Sequence, residues 1–185
     1  MTKVNLGVKQ KNWSTRIKIA RVLWLACQFI YWPIFPKMFS PVRIFVARLF
    51  GAEIGKGCLI SKGVKIWMPW HLKMGDYASL GVNVEVYNFA KVTIGSHSCV
   101  SQYSYLCSAS HDYTNSIHPL IYKNIHIEDQ CWIAAGAFIG PGVTINSGCV
   151  IGARAVVTKN TDAWFVYAGN PAVKIKPRQI SDAPV

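Results

Sequence analysis

One histidine stands where a side chain could move protons. Ser110-His111-Asp112-Tyr113 opens the only long irregular insertion in an otherwise periodic chain, and a long loop in a compact domain is usually functional. An imidazole, which titrates near neutrality, can act there as a general base. The other four, His71, His97, His118 and His126, lie at corners or within the insertion and read as solvated surface residues. The six cysteines (27, 58, 99, 107, 131, 149) include no CxxC pair, which favours small core hydrophobes in a reducing compartment over a disulfide framework or a metal site.

What must position the loop is a repeat of six. Ile127, Ile133, Ile139, Ile145, Ile151 and Val157 place an aliphatic residue at every sixth position, and a small one follows four places later at Cys131, Ala137, Val143, Cys149 and Ala155. This period matches neither an amphipathic helix nor a lone strand. It matches a coil of three flat faces, with the aliphatic residue on the axis, the small one beside the corner, and successive coils stacked about 4.8 Å apart. Earlier sets keep the frame at Ile54, Ile60, Ile66; Met74, Leu80, Val86; and Ile94, Val100, Leu106. The spacing therefore predicts an all-β parallel β-helix of about five coils. The fourth coil begins thirty-three residues after the third, so a loop over residues 108–124 is thrown out at a corner.

The chain has 185 residues, is 51% hydrophobic and carries a net charge of +12. Nine Lys or Arg residues precede Glu53, with no acid among them; such a segment seeks an anionic surface. Residues 1–15 read as frayed. Two short helices follow, over residues 22–32, ended by Pro33 and Pro36, and over residues 42–50, with Trp and Phe on one side and Arg and Lys on the other. The first is too short to span a bilayer. The pair fits a membrane interface or a cap over the open end of the solenoid. Nucleic acid is excluded as a partner, since the aromatics interleave with aliphatics and form no polar stacking platform. No cleavable signal peptide is apparent. The organisation read is a basic, aromatic-rich segment over 1–52, a solenoid over 53–163 and a turn with a basic tail over 164–185, in a cytoplasmic protein with peripheral contact at the inner face of the cell membrane.

Several motifs, namely Phe50-Gly51-Ala52-Glu53-Ile54-Gly55, Pro69-Trp70, Met74-Gly75-Asp76-Tyr77, Ser110-His111-Asp112 and Ala168-Gly169-Asn170-Pro171-Ala172, give the chain a family likeness. It resembles the hexapeptide-repeat acyltransferases with a left-handed β-helix, among them the maltose, galactoside and nodulation-factor acetyltransferases, and is most similar to the colanic acid biosynthesis group. The left hand comes from this resemblance, because parallel crossovers are right-handed in most folds. The resemblance implies O-acetyl transfer from acetyl-CoA, without a metal, to a hydroxyl of a saccharide in exopolysaccharide or other cell-surface glycan assembly. By the same resemblance His111 is the base, Asn83 positions the acceptor, and the Ala135 backbone N–H receives the oxyanion on the turn after Trp132. Coenzyme A would then meet Ala153, Thr158 and Lys159, with Lys174, Lys176 and Arg178 near its phosphates. A homotrimer with active sites between subunits is implied as well.

The chain departs from the sugar acetyltransferases in two places. Asp112 follows His111 where they have proline, and no acid precedes Glu53 to contact the acceptor. Acceptor contacts are then expected from Glu85, Asp112 or Tyr113. Together with the basic-aromatic N-terminus, this suits an acceptor held at the membrane, such as a lipid-linked saccharide. Two other classes use the same solenoid. A zinc hydro-lyase of the γ-carbonic anhydrase type needs a close histidine pair on neighbouring rungs, and His111 to His118 runs along the loop instead. A non-catalytic binding solenoid favours flat Thr or Ser faces without a long loop.

Overall fold

A computed structural model describes residues 3–8, 13–34 and 39–181. The chain forms a left-handed parallel β-solenoid preceded by two helices, α1 (Thr15–Ile34) and α2 (Ser40–Leu49). The first turn holds β1 (Glu53–Ile54), β2 (Leu59–Ile60) and β3 (Lys65–Ile66), and the second β4 (Leu72–Met74), β5 (Ser79–Leu80) and β6 (Glu85–Tyr87). The third holds β7 (Val92–Ile94), β8 (Cys99–Val100) and β9 (Tyr105–Cys107), after which β10 (Ala109–His111) and β11 (Leu120–Tyr122) make an antiparallel hairpin. The fourth turn is β12 (Ile125–Ile127), β13 (Trp132–Ile133) and β14 (Phe138–Ile139), and the fifth β15 (Thr144–Ile145), β16 (Val150–Ile151) and β17 (Val156–Val157). Strand β18 (Phe165–Gly169) pairs with β16 as one rung of a sixth turn, and β19 (Ala172–Pro177) folds back on it.

Like strands stack on like: β1, β4, β7, β12 and β15 form the first face, β2, β5, β8, β13 and β16 run through the second, and β3, β6, β9, β14 and β17 form the third. The column read from the sequence is the core. Ile60, Ile66, Leu80, Val86, Val100, Leu106, Ile133, Ile139, Ile145 and Ile151 are fully buried, each burial stabilising by about 1.5–3 kcal/mol. Cys131 and Cys149 fill the small position beside it, and all six cysteines are free. Burial pushes the Cys131 thiol up to about 11. After each aliphatic residue of the first and second faces, the third residue turns the corner in the left-handed backbone region, which is where Asn83 (φ 57°) and His97 (φ 56°) sit. His97 stacks there on Tyr77, with ring centroids 5.1 Å apart.

The two helices close the open end of the solenoid, and their chemistry reverses the expected faces. The first coil has no coil below it, so its edge carbonyls and N–H groups would be left unpaired. Trp24 Nε1 donates to the Ile66 carbonyl, Arg43 Nη1 to the Ile60 carbonyl at 3.4 Å, and Arg48 Nη2 to the Ile54 and Gly55 carbonyls at 2.6 and 2.9 Å. Two N–H groups of the same edge are accepted: Ile60 N–H by Ser40 Oγ and Ile66 N–H by Gln28 Oε1, both at 2.8 Å. On α2 the basic side chains therefore turn toward the solenoid while Val42, Phe45 and Leu49 face outward. On α1, Trp24 is buried, but Ile19, Val22, Leu23, Phe29 and Ile30 are exposed. The side chains of Tyr31 and Trp32 lie outside the described residues, as do Pro36, Lys9, Lys11 and Lys37.

Two further expectations need correction. Helix α1 starts at Thr15, seven residues before the apolar run, because Ser14 Oγ accepts from the Ile17 N–H and caps it. It also passes Pro33 to end at Ile34, since a proline in the last turn removes a single helical N–H. Nor is the described part of the N-terminal segment frayed: the Asn5 N–H donates to the Ser116 carbonyl at 2.8 Å, tying residues 3–8 to the loop.

Candidate functional site

His111 ends β10, the outgoing strand of the hairpin, in register with Leu120 on β11. Its Nδ1 lies 2.6 Å from the carbonyl oxygen of His118. A carbonyl only accepts, so Nδ1 is the donor, and in the neutral imidazole the lone pair then falls on Nε2. His118 itself holds a left-handed backbone, φ 44°, which turns the returning chain across the hairpin. Asp112 fixes the same turn: its Oδ1 accepts from the Thr114 N–H and hydroxyl at 3.0 and 2.6 Å, and these bonds lower its pKa.

Beside His111 is a cleft of about 650 Å³, lined by Leu6, Val8, Trp13, Phe89, His118 and Leu120 among others. The N-terminal segment, read from sequence as disengaged, is one wall of it. Behind that wall Trp13 stacks on Phe89 at 5.2 Å and 28°, and Trp67 packs on Tyr87 and Phe89. The Arg21 guanidinium lies over these rings, 4.2 Å from the Trp13 centroid, 5.6 Å from Phe89 and 5.7 Å from Trp67. Burial pulls its pKa below the usual guanidinium range, with Tyr87 opposing. Sequence reasoning missed Trp13, Arg21, Phe89 and His118. The available signal was the placing of Trp13 immediately before the helix cap and of Phe89 at the corner that carries extra residues.

The acceptor residues expected from sequence are partly engaged elsewhere. Glu85 Oε1 accepts from Trp67 Nε1 at 2.9 Å, Asp112 holds its own loop, and Tyr113 points into solvent, 85% exposed. The remaining candidates fall on two edges of the third face. Asn83, Ala135 and Ala153 lie along the edge that precedes it, where corners stack through Tyr103 N–H to Val82 O, Gly136 N–H to Gln102 O and Arg154 N–H to Ala135 O. His111, Thr158 and Lys159 lie along the edge that follows it. Between the two, residues 103–107 alone span about 13 Å at strand rise, so one chain does not bring Asn83 to His111. Trp132 and Lys176 share a groove of about 730 Å³ on the second face with Val150, Val166 and Arg178. Lys174 instead pairs with Asp162 at 2.9 Å and lies over the Phe165 ring. Among the described residues, no group of three His, Cys, Asp or Glu side chains could hold a metal ion.

Residues 124–159 match the family described as bacterial transferase hexapeptide (six repeats). Over 156 residues the chain is 45% identical to the protein named "Putative colanic acid biosynthesis acetyltransferase WcaF" of Escherichia coli K12, covering 84% of this chain and 86% of that one. A hexapeptide-repeat acetyltransferase of Vibrio cholerae, complexed with acetyl coenzyme A, superposes with a TM-score of 0.83 at 22% identity, over 94% of this chain and 95% of its own. A maltose O-acetyltransferase of Clostridium difficile 630 does so at 0.81 and 21%, over 90% of each. The two solved structures share the fold over nine-tenths or more of the chain, while the likeness to the Escherichia coli protein extends through 84% of the sequence. This chain belongs to the hexapeptide-repeat acyltransferases, in the group of the colanic acid biosynthesis acetyltransferases.

Proposed function

We propose that this acyltransferase moves acetyl from acetyl-CoA to a saccharide hydroxyl bound in the His111 cleft, in the assembly of a cell-surface glycan. The observation that carries the reading is the His111 Nδ1 bond to the His118 carbonyl, which leaves Nε2 as a base on the wall of a cleft large enough for a sugar. Nε2 takes the hydroxyl proton, the oxygen attacks the thioester carbon, and the Ala135 N–H receives the oxyanion. The carbon–sulfur bond then breaks, and His111 returns the proton to the departing thiolate. Trp132, Ala153, Thr158, Lys159 and Lys176 are assigned to the coenzyme, with Lys174 in a lesser part because Asp162 already holds it.

The division of these residues between two edges supports a homotrimer in which one subunit supplies His111 and a neighbour supplies Asn83 and Ala135. A thiol-release assay over nucleotide sugars and lipid-linked oligosaccharides tests the reaction. Coenzyme A should appear only with an acceptor hydroxyl present; release that ignores every acceptor would sink the proposal.

The outward apolar residues of α1 and α2 support a second part of the reading, peripheral contact with an anionic membrane. No helix among the described residues is long and apolar enough to cross one, so the helices would lie in the interface. With Arg43 and Arg48 engaged on the solenoid, attraction rests on fewer cations than the composition offers; Lys3, Arg16 and Lys18 are exposed. Each contributes up to about 1 kcal/mol near an anionic surface. Vesicles containing phosphatidylglycerol should sediment with the protein at low salt and less at high salt. The double variant Phe29→Ser, Phe45→Ser should bind several-fold more weakly. Equal, negligible binding to anionic and neutral vesicles would leave capping as the helices' whole role.

A further inference from the structure

We infer that residues 3–8 form an acceptor-binding strap, and that Leu6 and Val8 make a hydrocarbon subsite beside His111, so that the favoured acceptor is a glycoside with an apolar substituent on the acetylated sugar. This deepens the acetyl-transfer reading and rests on it. The described lining of the cleft comes from distant parts of the chain. Leu6 and Val8 belong to the strap, Trp13 stands ahead of α1, Phe89 lies at the corner after β6, and Ile117 and Leu120 come from the hairpin that carries His111. The strap is fastened to that hairpin, where the Asn5 N–H donates to the Ser116 carbonyl at 2.8 Å. Asn5 Oδ1 accepts in turn from the Gly7 N–H at 3.1 Å, which bends the chain and leaves Leu6 at the bend. Leu6 is 69% exposed and Val8 46%, so both offer apolar area that a ligand in the cleft can cover.

The chemistry of this wall selects what lies on it. Besides the two histidines, only the Trp13 indole brings a side-chain polar atom to the described lining, and His111 Nδ1 is already held by the His118 carbonyl. A pyranose has a hydroxyl on most of its carbons. Seated against Leu6, Val8, Ile117 and Leu120, those hydroxyls would give up water without gaining a partner. A hydrocarbon group seated there has no such loss and gains by leaving water. The reacting sugar then takes its polar contacts from the edge that carries Asn83, which the neighbouring subunit supplies in the proposed trimer, while its apolar substituent rests on the strap.

The test compares acetylation of hexyl and methyl β-D-glucoside, which differ only in hydrocarbon, read as kcat/KM from coenzyme A release. Calorimetric binding of hexyl glucoside is measured in parallel without acetyl-CoA. We expect the hexyl-to-methyl ratio to exceed about tenfold in the wild type. The double variant Leu6→Ser, Val8→Ser should lower that ratio by about 5- to 30-fold, through the KM of hexyl glucoside more than through kcat. Asn5→Pro, which deletes the tethering N–H, should lower it as well. Val4→Ser makes the control: Val4 is on the same strap and 60% exposed, but outside the described lining, and the ratio should not change. Because the ratio is internal to each variant, partial loss of folded protein does not mimic the effect. A wild-type ratio near one, or a ratio that the double variant leaves unchanged, overturns the proposal. So does an equal fall in Val4→Ser, or calorimetric binding of hexyl glucoside that is absent or the same in wild type and double variant, which would assign any preference to adsorption on the outward faces of α1 and α2. Strap-dependent binding of hexyl glucoside, without coenzyme A release from any acceptor in the assay proposed above, would instead defeat the acetyl-transfer reading and leave the subsite standing.

Discussion

His111→Ala is expected to lower turnover by about two to four orders of magnitude while leaving coenzyme A affinity nearly unchanged. The variant removes the proton acceptor and no wall of the groove that Trp132 and Lys176 line. The fold should persist, because His111 is exposed and, among the described residues, its side chain makes one hydrogen bond, to the His118 carbonyl. Retention of more than about a tenth of wild-type turnover would place the base elsewhere. The same variant tests the shared site. One chain holds Asn83 and His111 on opposite edges of the third face, so in the homotrimer proposed above a mixture of His111→Ala and Asn83→Ala subunits should rebuild whole sites. An equal random mixture gives a wild-type His111 beside a wild-type Asn83 at about a quarter of sites. Activity in the mixture no higher than in either variant alone would mean that a site draws on one chain only.

Gly95→Ala should be the most damaging alanine substitution on the solenoid's corners. Gly95 follows Ile94 where the third coil passes over the fourth, and a Cβ there would stand 2.6 Å from the Asp129 nitrogen and still closer to the Glu128 carbonyl carbon. Both are backbone atoms of a coil fixed by pairing on either side, so neither yields as a flexible side chain would. Overpacking of this kind costs about 3 kcal/mol, or roughly 6–12 °C in melting temperature for a chain of this length. Gly136→Ala makes the contrast. Its φ of +68° strains an alanine, yet the added Cβ meets only the Arg154 side chain, at 3.4 Å, and the cost should stay near 1–2 kcal/mol. Equal melting temperatures for the two variants would show that backbone conformation, and not the approach of the coils, decides the glycine positions. A displaced third coil would also shift the corner from which the His111 hairpin leaves, so Gly95→Ala should lose activity at temperatures where it is still folded.

The sequence by itself determined the solenoid and the point where it is interrupted. A period of six leaves one geometry in which Ile127, Ile133 and Ile139 all reach the axis, and adding residues is possible only at a corner; the column and the loop follow from chain length alone. It also marked His111, because a histidine at the root of an insertion has a setting the other four lack. The hand was not in the period, since Ile-to-Ile spacing is the same in either sense of winding; it came with the family likeness. Tertiary structure alone decided the rest. Composition made Arg43 and Arg48 look like outward charges, but the first coil's carbonyls have no coil beneath them, and unpaired edge groups attract whatever donors the neighbouring helix holds. Likewise Trp13 and residues 3–8 show no periodicity, so nothing local ties them to a loop more than a hundred residues later. The cleft wall exists only because α1 lies across the end of the solenoid. There Trp13 meets Phe89, and long-range apolar contact fixes what local pattern leaves free.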